Sequence, residues 1–164
     1  FIQGEYGIGK SSIAGFVQRI AEKNFGLHAI YAPLGGASTL EDVGASILEA
    51  TIRSGVFDPK RSEKIKDWLA KYIGEQKLFG VTIHADALGK DAPAITRGIL
   101  PFLSEILARL KETGVKGIFL VLDEINGIAG NRKFAHFIKG IVDENAIARE
   151  PVPLLLRLFV ETSG

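Results

Sequence analysis

"GEYGIGKSS", residues 4–12, places three glycines ahead of a lysine and two serines. It follows the apolar pair Phe1-Ile2, which predicts the tail of a strand, and the spacing of apolar residues over 11–23 predicts a helix directly after it. Glycines permit positive φ and let main-chain N–H groups face an anion, and the start of a helix adds its own unsatisfied N–H groups. The stretch therefore predicts a phosphate-binding loop between a strand and a helix.

The spacing of this loop assigns individual roles. Gly4, Gly9, Lys10 and Ser11 meet the pattern G-x-x-x-x-G-K-S, known as Walker A, in which the lysine contacts the β- and γ-phosphates and the serine hydroxyl is a ligand of Mg²⁺. The alternative is a glycine-rich turn whose Lys10 and Ser11 are ordinary surface residues. The residues predicted to bind the nucleotide are Gly4, Glu5, Tyr6, Gly7, Ile8, Gly9, Lys10, Ser11 and Ser12. Tyr6 either touches the nucleotide or fills space against the neighbouring strand.

A second motif lies at 118–124, "IFLVLDE", an apolar strand that ends in two carboxylates and has the form of a Walker B element. Asp123 is predicted to hold Mg²⁺ through its water shell, and Glu124 to polarise the water that attacks the γ-phosphate. The alternative is a solvated pair of acids at the end of a strand. Asn126 either orients the same water or forms a turn before Gly127.

Strands and helices alternate along the chain. Further strands are predicted at 28–33, 78–84, 118–122 and 153–160, and further helices from a capping-box spacing at 38–41, over 61–73, over 101–112 and over 131–147. This order predicts an α/β fold with a mainly parallel sheet covered on both faces, because a parallel crossover needs a dozen or more residues. Ligands of such folds bind at the carboxyl ends of the strands.

Composition narrows the class of protein. The chain has 164 residues, 46% hydrophobic and 24% charged, which fits one domain over 1–164, and its formal charge of +1 does not favour nucleic acid as a partner. It has no cysteine, no signal-peptide pattern and no apolar run long enough to span a bilayer, so we expect a cytoplasmic protein without a membrane partner. Since the sequence begins inside an apolar segment without methionine, we expect a partial domain of a longer protein. His28, His84 and His136 lack metal-ligand spacing and are predicted to be surface or partly packed residues.

Together the two motifs resemble those of AAA+ and related P-loop ATPases in which a strand ends in Asp-Glu. Within these, the segment "LDEINGIAGNRKFAHFIKGIVDENAIAREPVPLLL" most resembles bacterial and archaeal ATP-binding proteins allied to the origin-recognition and STAND groups. The resemblance implies a three-layer αβα P-loop NTPase fold, here truncated before the last strand, the arginine finger and the helical lid. It also implies that the strands at 118–122 and 153–160 lie beside the strand of the phosphate loop, with 28–33 at an edge.

The resemblance further implies a polar sensor residue at the end of the 153–160 strand, for which Thr162 is the candidate, ahead of Glu161 and Ser163. Arg157 falls inside this predicted central strand, where a buried arginine needs a carboxylate partner. ATP rather than GTP is implied by the resemblance, since no Asn-Lys-x-Asp element is present.

The predicted function is Mg²⁺-dependent ATP binding and hydrolysis coupled to conformational change in a larger protein or assembly, with Glu124 and Lys10 as the catalytic residues. The alternative is a nucleotide-gated switch or scaffold of the STAND kind that turns over slowly. A phosphotransferase is disfavoured by the Asp123-Glu124 pair. The expected cofactors are ATP and Mg²⁺, and the expected partners are ATP and ADP, together with a second copy or a partner protein.

Overall fold

The computed structural model of the chain describes residues 2–5, 9–56, 77–78, 81–82 and 99–162. Its strands and helices, in chain order, are β1 (Ile2–Glu5), α1 (Lys10–Phe25), β2 (Leu27–Pro33), α2 (Leu40–Arg53), β3 (Lys77–Leu78), β4 (Val81–Thr82), α3 (Ile99–Leu110), β5 (Gly117–Asp123), α4 (Asn126–Ala129), α5 (Arg132–Ile147) and β6 (Leu154–Thr162). None of the helices in the described ranges is long and apolar enough to cross a membrane.

Four strands form one parallel sheet in the order β1-β6-β5-β2. The predicted α/β class with a parallel sheet is therefore confirmed. Strand β6 lies directly beside β1 and β2 lies at an edge, as expected, whereas β5 pairs with β6 and β2 and is separated from β1 by β6. The predicted single strand over 78–84 is wrong, because β3 and β4 instead pair with each other as two short antiparallel strands.

Helices cover both faces of the sheet, and the handedness of the connections explains which helix lies where. From β1 the chain crosses the sheet to β2 and then returns to β5 and β6, so right-handed crossovers place α1 on one face and the later helices on the other. Two clusters of buried side chains agree with this division. On the α1 face Ala14 and Ala21 pack with Phe119 and Val121, and on the other face α2, α3 and α5 pack against Leu120 and its neighbours in β5.

Strand β5 is the centre of the core. All seven of its residues are buried, including the run Ile118–Leu122, which has no exposed surface at all. A strand buried on both faces reads as a continuous apolar run rather than an alternating pattern, which is why the sequence identified this strand correctly. Burial of each large apolar side chain of this kind contributes about 1.5–3 kcal/mol.

Helix ends follow the local sequence closely. Asn131 is the N-cap of α5 and accepts a hydrogen bond from the N–H of Lys133 at 2.9 Å, as predicted. The capping box of α2, predicted to begin at Ser38 with Glu41, instead begins at Thr39 and uses the carboxylate of Asp42. The register moves by one residue because the Asp42 carboxylate accepts hydrogen bonds from the N–H groups of both Ser38 and Thr39, each at 2.9 Å.

Apolar residues of α1 and one arginine of β6 are more exposed than the sequence suggests. Helix α1 lies on the sheet through small residues such as Ala14, whereas Ile13 and Phe16 are 44% and 57% exposed. Arg157 lies within β6 in register with Val121, yet its side chain is exposed. The sequence suggested that Arg157 would be buried in the central strand and would need a carboxylate partner. Because its side chain is exposed, it has no such requirement.

Candidate functional site

Both sequence motifs lie at the carboxyl edge of the sheet. Strand β1 ends at Glu5, the second residue of the glycine-rich stretch, and β5 ends at Asp123. Because all four strands of this sheet are parallel, these two ends face the same side of the molecule. The register also brings Thr162, the last residue of β6, level with Glu5.

The start of helix α1 has the geometry that an anion-binding loop requires. Gly9 is the N-cap residue and adopts φ 87° and ψ 20°, a left-handed conformation that favours glycine. Its carbonyl oxygen accepts the first helical hydrogen bond, from the N–H of Ile13 at 2.9 Å. The N–H groups of the first turn, from Lys10 onward, have no partner inside the helix, and the helix dipole adds about half a positive charge at this end.

The Asp123 carboxylate is buried and accepts a hydrogen bond at each of its oxygen atoms. The side chain is 2% exposed and lies at the end of β5, on the face of the sheet that carries α1. Its Oδ1 atom accepts a hydrogen bond from the N–H of Glu124 at 2.9 Å, and its Oδ2 atom accepts one from the hydroxyl group of Tyr31 in β2. The carboxylate therefore lies at the carboxyl end of a buried strand, on the face of the sheet that carries α1.

Glu124 is exposed and has an unusual backbone. Its φ of 57° is positive, the one such value among the described residues that are not glycine. A glutamate in this conformation costs about 1–2 kcal/mol, so the surrounding hydrogen bonds must hold it there. The carbonyl oxygen of Asp123 accepts a bond from the N–H of Leu34 at 2.7 Å, and the N–H of Ile125 donates to the carbonyl oxygen of Phe159 at 3.2 Å.

The loop from Leu34 to Ala37, between β2 and α2, is also part of the site, although no motif in the sequence predicted it. A Cβ atom added to Gly35 would overlap Oε2 of Glu124, and one added to Gly127 would lie 2.7 Å from the carbonyl oxygen of Ala37. The two loops therefore pack closely, with the side chain of Glu124 against Gly35 and the main chain of Ala37 against Gly127. The pair Gly35-Gly36 was the available signal, but only the sheet order reveals which partner it faces.

Several predicted residues are described only in part. Tyr6, Gly7 and Ile8 lie outside the described residues, as do His84 and the helix predicted over 61–73. For five of the predicted residues only the main chain is described: Gly4, Glu5, Lys10, Ser11 and Thr162. Ser12 is exposed in the first turn of α1. Asn126 begins the short helix α4 rather than a simple turn.

The three histidines were not expected to bind metal. His28 is partly buried and its Nε2 atom lies 2.8 Å from Oγ of Ser54, whereas His136 is exposed on α5. Across the described parts of the chain, no three side chains of His, Cys, Asp or Glu gather into a group that could hold a metal ion by themselves.

The carboxyl edge of the sheet nevertheless fits a magnesium ion that is shared with a phosphate ligand. Mg²⁺ is typically held by one or two carboxylates together with substrate phosphates and water, and it prefers oxygen ligands. Asp123 supplies one buried, oriented carboxylate at the edge where the first turn of α1 offers N–H groups to an anion.

Comparison of the chain with protein-family models, characterised proteins and solved structures finds no match.

Proposed function

We propose that this chain binds ATP together with Mg²⁺ and hydrolyses it, as a P-loop ATPase of the AAA+ or related kind. The observation that carries the proposal is the common edge of the sheet: a glycine-capped helix start follows β1, and the buried Asp123 carboxylate ends β5 two strands away. A polyphosphate at the helix start would therefore have a magnesium-binding carboxylate on the same side of the sheet.

Each residue has a distinct task in this proposal. The main-chain N–H groups after Gly9 bind phosphate oxygens, and the Lys10 ammonium group neutralises charge on the β- and γ-phosphates. Ser11 and Asp123 hold Mg²⁺, which when bound neutralises the charge that develops on the phosphoryl oxygens. Glu124 follows the metal-binding carboxylate directly and orients the attacking water. Thr162 ends the strand between these motifs and is proposed to contact the γ-phosphate.

Binding and turnover are tested separately. Calorimetric titration of ATP in the presence of Mg²⁺ should show saturable binding to the wild-type chain and none to Lys10→Ala, whereas Glu124→Gln should bind with the wild-type affinity and release less phosphate. Equal loss of affinity in both variants would contradict these roles. Tight binding without any phosphate release would indicate a nucleotide-gated switch, and absence of ATP binding by the wild type would reject the proposal.

A further inference from the structure

Tyr31 lies beside the Asp123 carboxylate, although the two residues are 92 positions apart in the sequence. Tyr31 is in β2 in register with Val121 of β5, and side chains alternate between faces along a strand. Tyr31, Val121 and Asp123 therefore point to the same face of the sheet, the one that carries α1. From there the Tyr31 hydroxyl group donates its hydrogen bond to Oδ2 of Asp123.

This hydrogen bond controls a torsion that Asp123 cannot fix by itself. The terminal torsion of an aspartate side chain has a broad energy profile, so the carboxylate plane is set by its hydrogen-bond partners. The N–H of Glu124 holds Oδ1 at 2.9 Å, and this contact comes from the next residue in the chain. Tyr31 holds the other oxygen, and it does so from a neighbouring strand that is itself part of the rigid sheet.

Burial makes the contact hard to replace. Asp123 is 2% exposed, so water has little access to take over the position of the tyrosine hydroxyl group. A hydrogen bond from a hydroxyl group to a carboxylate is charge-assisted and about twice as strong as one between neutral groups. Loss of the hydroxyl group would leave Oδ2 without this donor and allow the carboxylate to rotate.

We infer that Tyr31 is a positioning residue that orients the Asp123 carboxylate for Mg²⁺. The inference rests on the proposed function, in which Asp123 holds the metal ion of bound ATP. Mg²⁺ and its water ligands demand near-ideal octahedral geometry, so rotation of the carboxylate that holds this water shell would weaken binding of the ion. Removal of the outer partner of a metal ligand typically costs 10–100-fold in metal affinity.

The test separates the metal-dependent part of ATP binding from the rest. Mg²⁺ is titrated into the protein at fixed ATP and the affinity for ATP is measured by calorimetry, with a parallel measurement in EDTA. Tyr31→Phe should raise the Mg²⁺ concentration needed for half of the effect by about 10-fold or more, with unchanged ATP affinity in EDTA. Ser54→Ala, which removes a hydroxyl group bonded to His28 near the opposite end of β2, should match the wild type.

A double-mutant cycle shows whether Tyr31 acts through Asp123. Asp123→Asn should lose the effect of Mg²⁺, and Tyr31→Phe should cause no further change in that background. An unchanged Mg²⁺ requirement in Tyr31→Phe, additive losses in the double mutant, or an equal loss of ATP affinity in EDTA would each overturn the inference. If Asp123→Asn removes the Mg²⁺ effect and Tyr31→Phe behaves like the wild type, only the role of Tyr31 fails. If the wild type binds no ATP, both proposals fail.

A spectroscopic measurement keeps the inference testable if Tyr31→Phe does not fold. The chain has three tyrosines, so the wild-type chain labelled with ¹³C at tyrosine Cζ gives one resonance for each, and Tyr6→Phe and Tyr72→Phe, compared without ATP, leave the third resonance assigned to Tyr31. Addition of Mg²⁺ to the labelled wild type with ATP bound should shift the Tyr31 resonance, because the Asp123 carboxylate that accepts its hydrogen bond then faces the metal ion. Absence of a shift, with ATP binding intact, would overturn the inference.

Discussion

The carboxylate of Glu124 packs directly over the Cα atom of Gly35, so closely that a methyl group at Gly35 would overlap Oε2 and lie 3.4 Å from Cδ. The neighbouring Gly36 has nothing within 4 Å of the equivalent position. Of these two adjacent glycines in the loop after β2, Gly35 contacts the residue proposed to orient water, whereas Gly36 has open space at the same position.

Gly35→Ala should slow phosphate release while leaving ATP binding and stability nearly unchanged. The overlapping atom is the far end of a flexible side chain, so Glu124 can move aside at little cost to folding. Its carboxylate then leaves the position set by the loop, and we expect release to fall by roughly 10- to 100-fold, less than the full 10²–10⁴ of a positioned general base. Gly36→Ala is the matched control. Equal phosphate release by the two variants would show that the contact has no role in turnover.

Thr39→Ala should reduce the free energy of unfolding by about 1 kcal/mol, because it removes the N-cap oxygen of α2. That oxygen accepts a hydrogen bond from the N–H of Asp42 at 3.2 Å. Urea unfolding at neutral pH measures the change. Ser38→Ala is the control and should cost less, since the Ser38 hydroxyl group bonds to the side chain of Asp42, whereas Thr39 caps a main-chain N–H of the helix. A larger loss for Ser38→Ala would show that Ser38 is the N-cap residue, as the sequence predicted.

Acid should weaken the same capping box. Hydrogen bonds from the main-chain N–H of Ser38 and from Thr39 lower the pKa of Asp42 from 3.8 to about 2. Since the folded-state pKa lies below the unfolded value, the contribution is complete above the unfolded pKa and is lost as pH falls through about 2. Asp42→Asn should therefore flatten the loss of stability between pH ~4 and ~2, measured by urea unfolding. An unchanged acid profile would contradict the role of this carboxylate.

What the sequence predicted well was local. The run Ile118–Leu122 is buried in every residue, and the glycine-rich stretch does join a strand to a helix. Such signals depend on residues within one turn or one strand of each other. The capping box of α2 was misplaced by one residue because Ser38 and Thr39 both have the required chemistry, and only the geometry of Asp42 decides between them.

What the sequence could not reveal depends on the order of the strands. Tyr31 and Asp123 meet because β2 and β5 are neighbours, and Gly35 meets Glu124 for the same reason. No periodicity links positions this far apart. The sequence also did not show which side of α1 faces solvent. Apolar spacing alone does not distinguish Phe16 from the small residues, such as Ala14, that allow close packing on the sheet.

His28 should make the protein less stable in mild acid. Burial lowers the pKa of His28 below 6.5, an effect that the nearby charge of Glu22 partly opposes. The unfolded chain therefore binds this proton more readily than the folded one, so stability falls as pH drops through the unfolded pKa and levels off below the folded pKa. His28→Gln should reduce the difference in urea stability between pH ~7.5 and ~5.5. If His28→Gln keeps the full difference in stability between the two pH values, other titratable groups cause that difference.

The hydrogen bond of His28 supports this direction. The hydroxyl group of Ser54 donates to the carbonyl oxygen of Thr51 at 2.7 Å, so Nε2 of His28 donates to Ser54 Oγ. The neutral imidazole already makes this bond, and protonation adds no partner on that side. His136 is exposed on α5, and His136→Gln is the matched substitution against which the effect of His28→Gln is compared.

Glu124→Gly should be more stable than Glu124→Ala by about 1 kcal/mol, the reverse of the usual order for these two residues. The reason is the φ of 57° at this position, which glycine adopts without strain and alanine does not. Both variants lack the carboxylate, so both should lose phosphate release alike while retaining ATP affinity. Thermal unfolding and calorimetry on the two proteins separate the backbone from the side chain. If Glu124→Ala is the more stable variant, residue 124 does not keep its left-handed conformation in solution. The interpretation that the backbone is strained at the proposed catalytic residue would then be wrong.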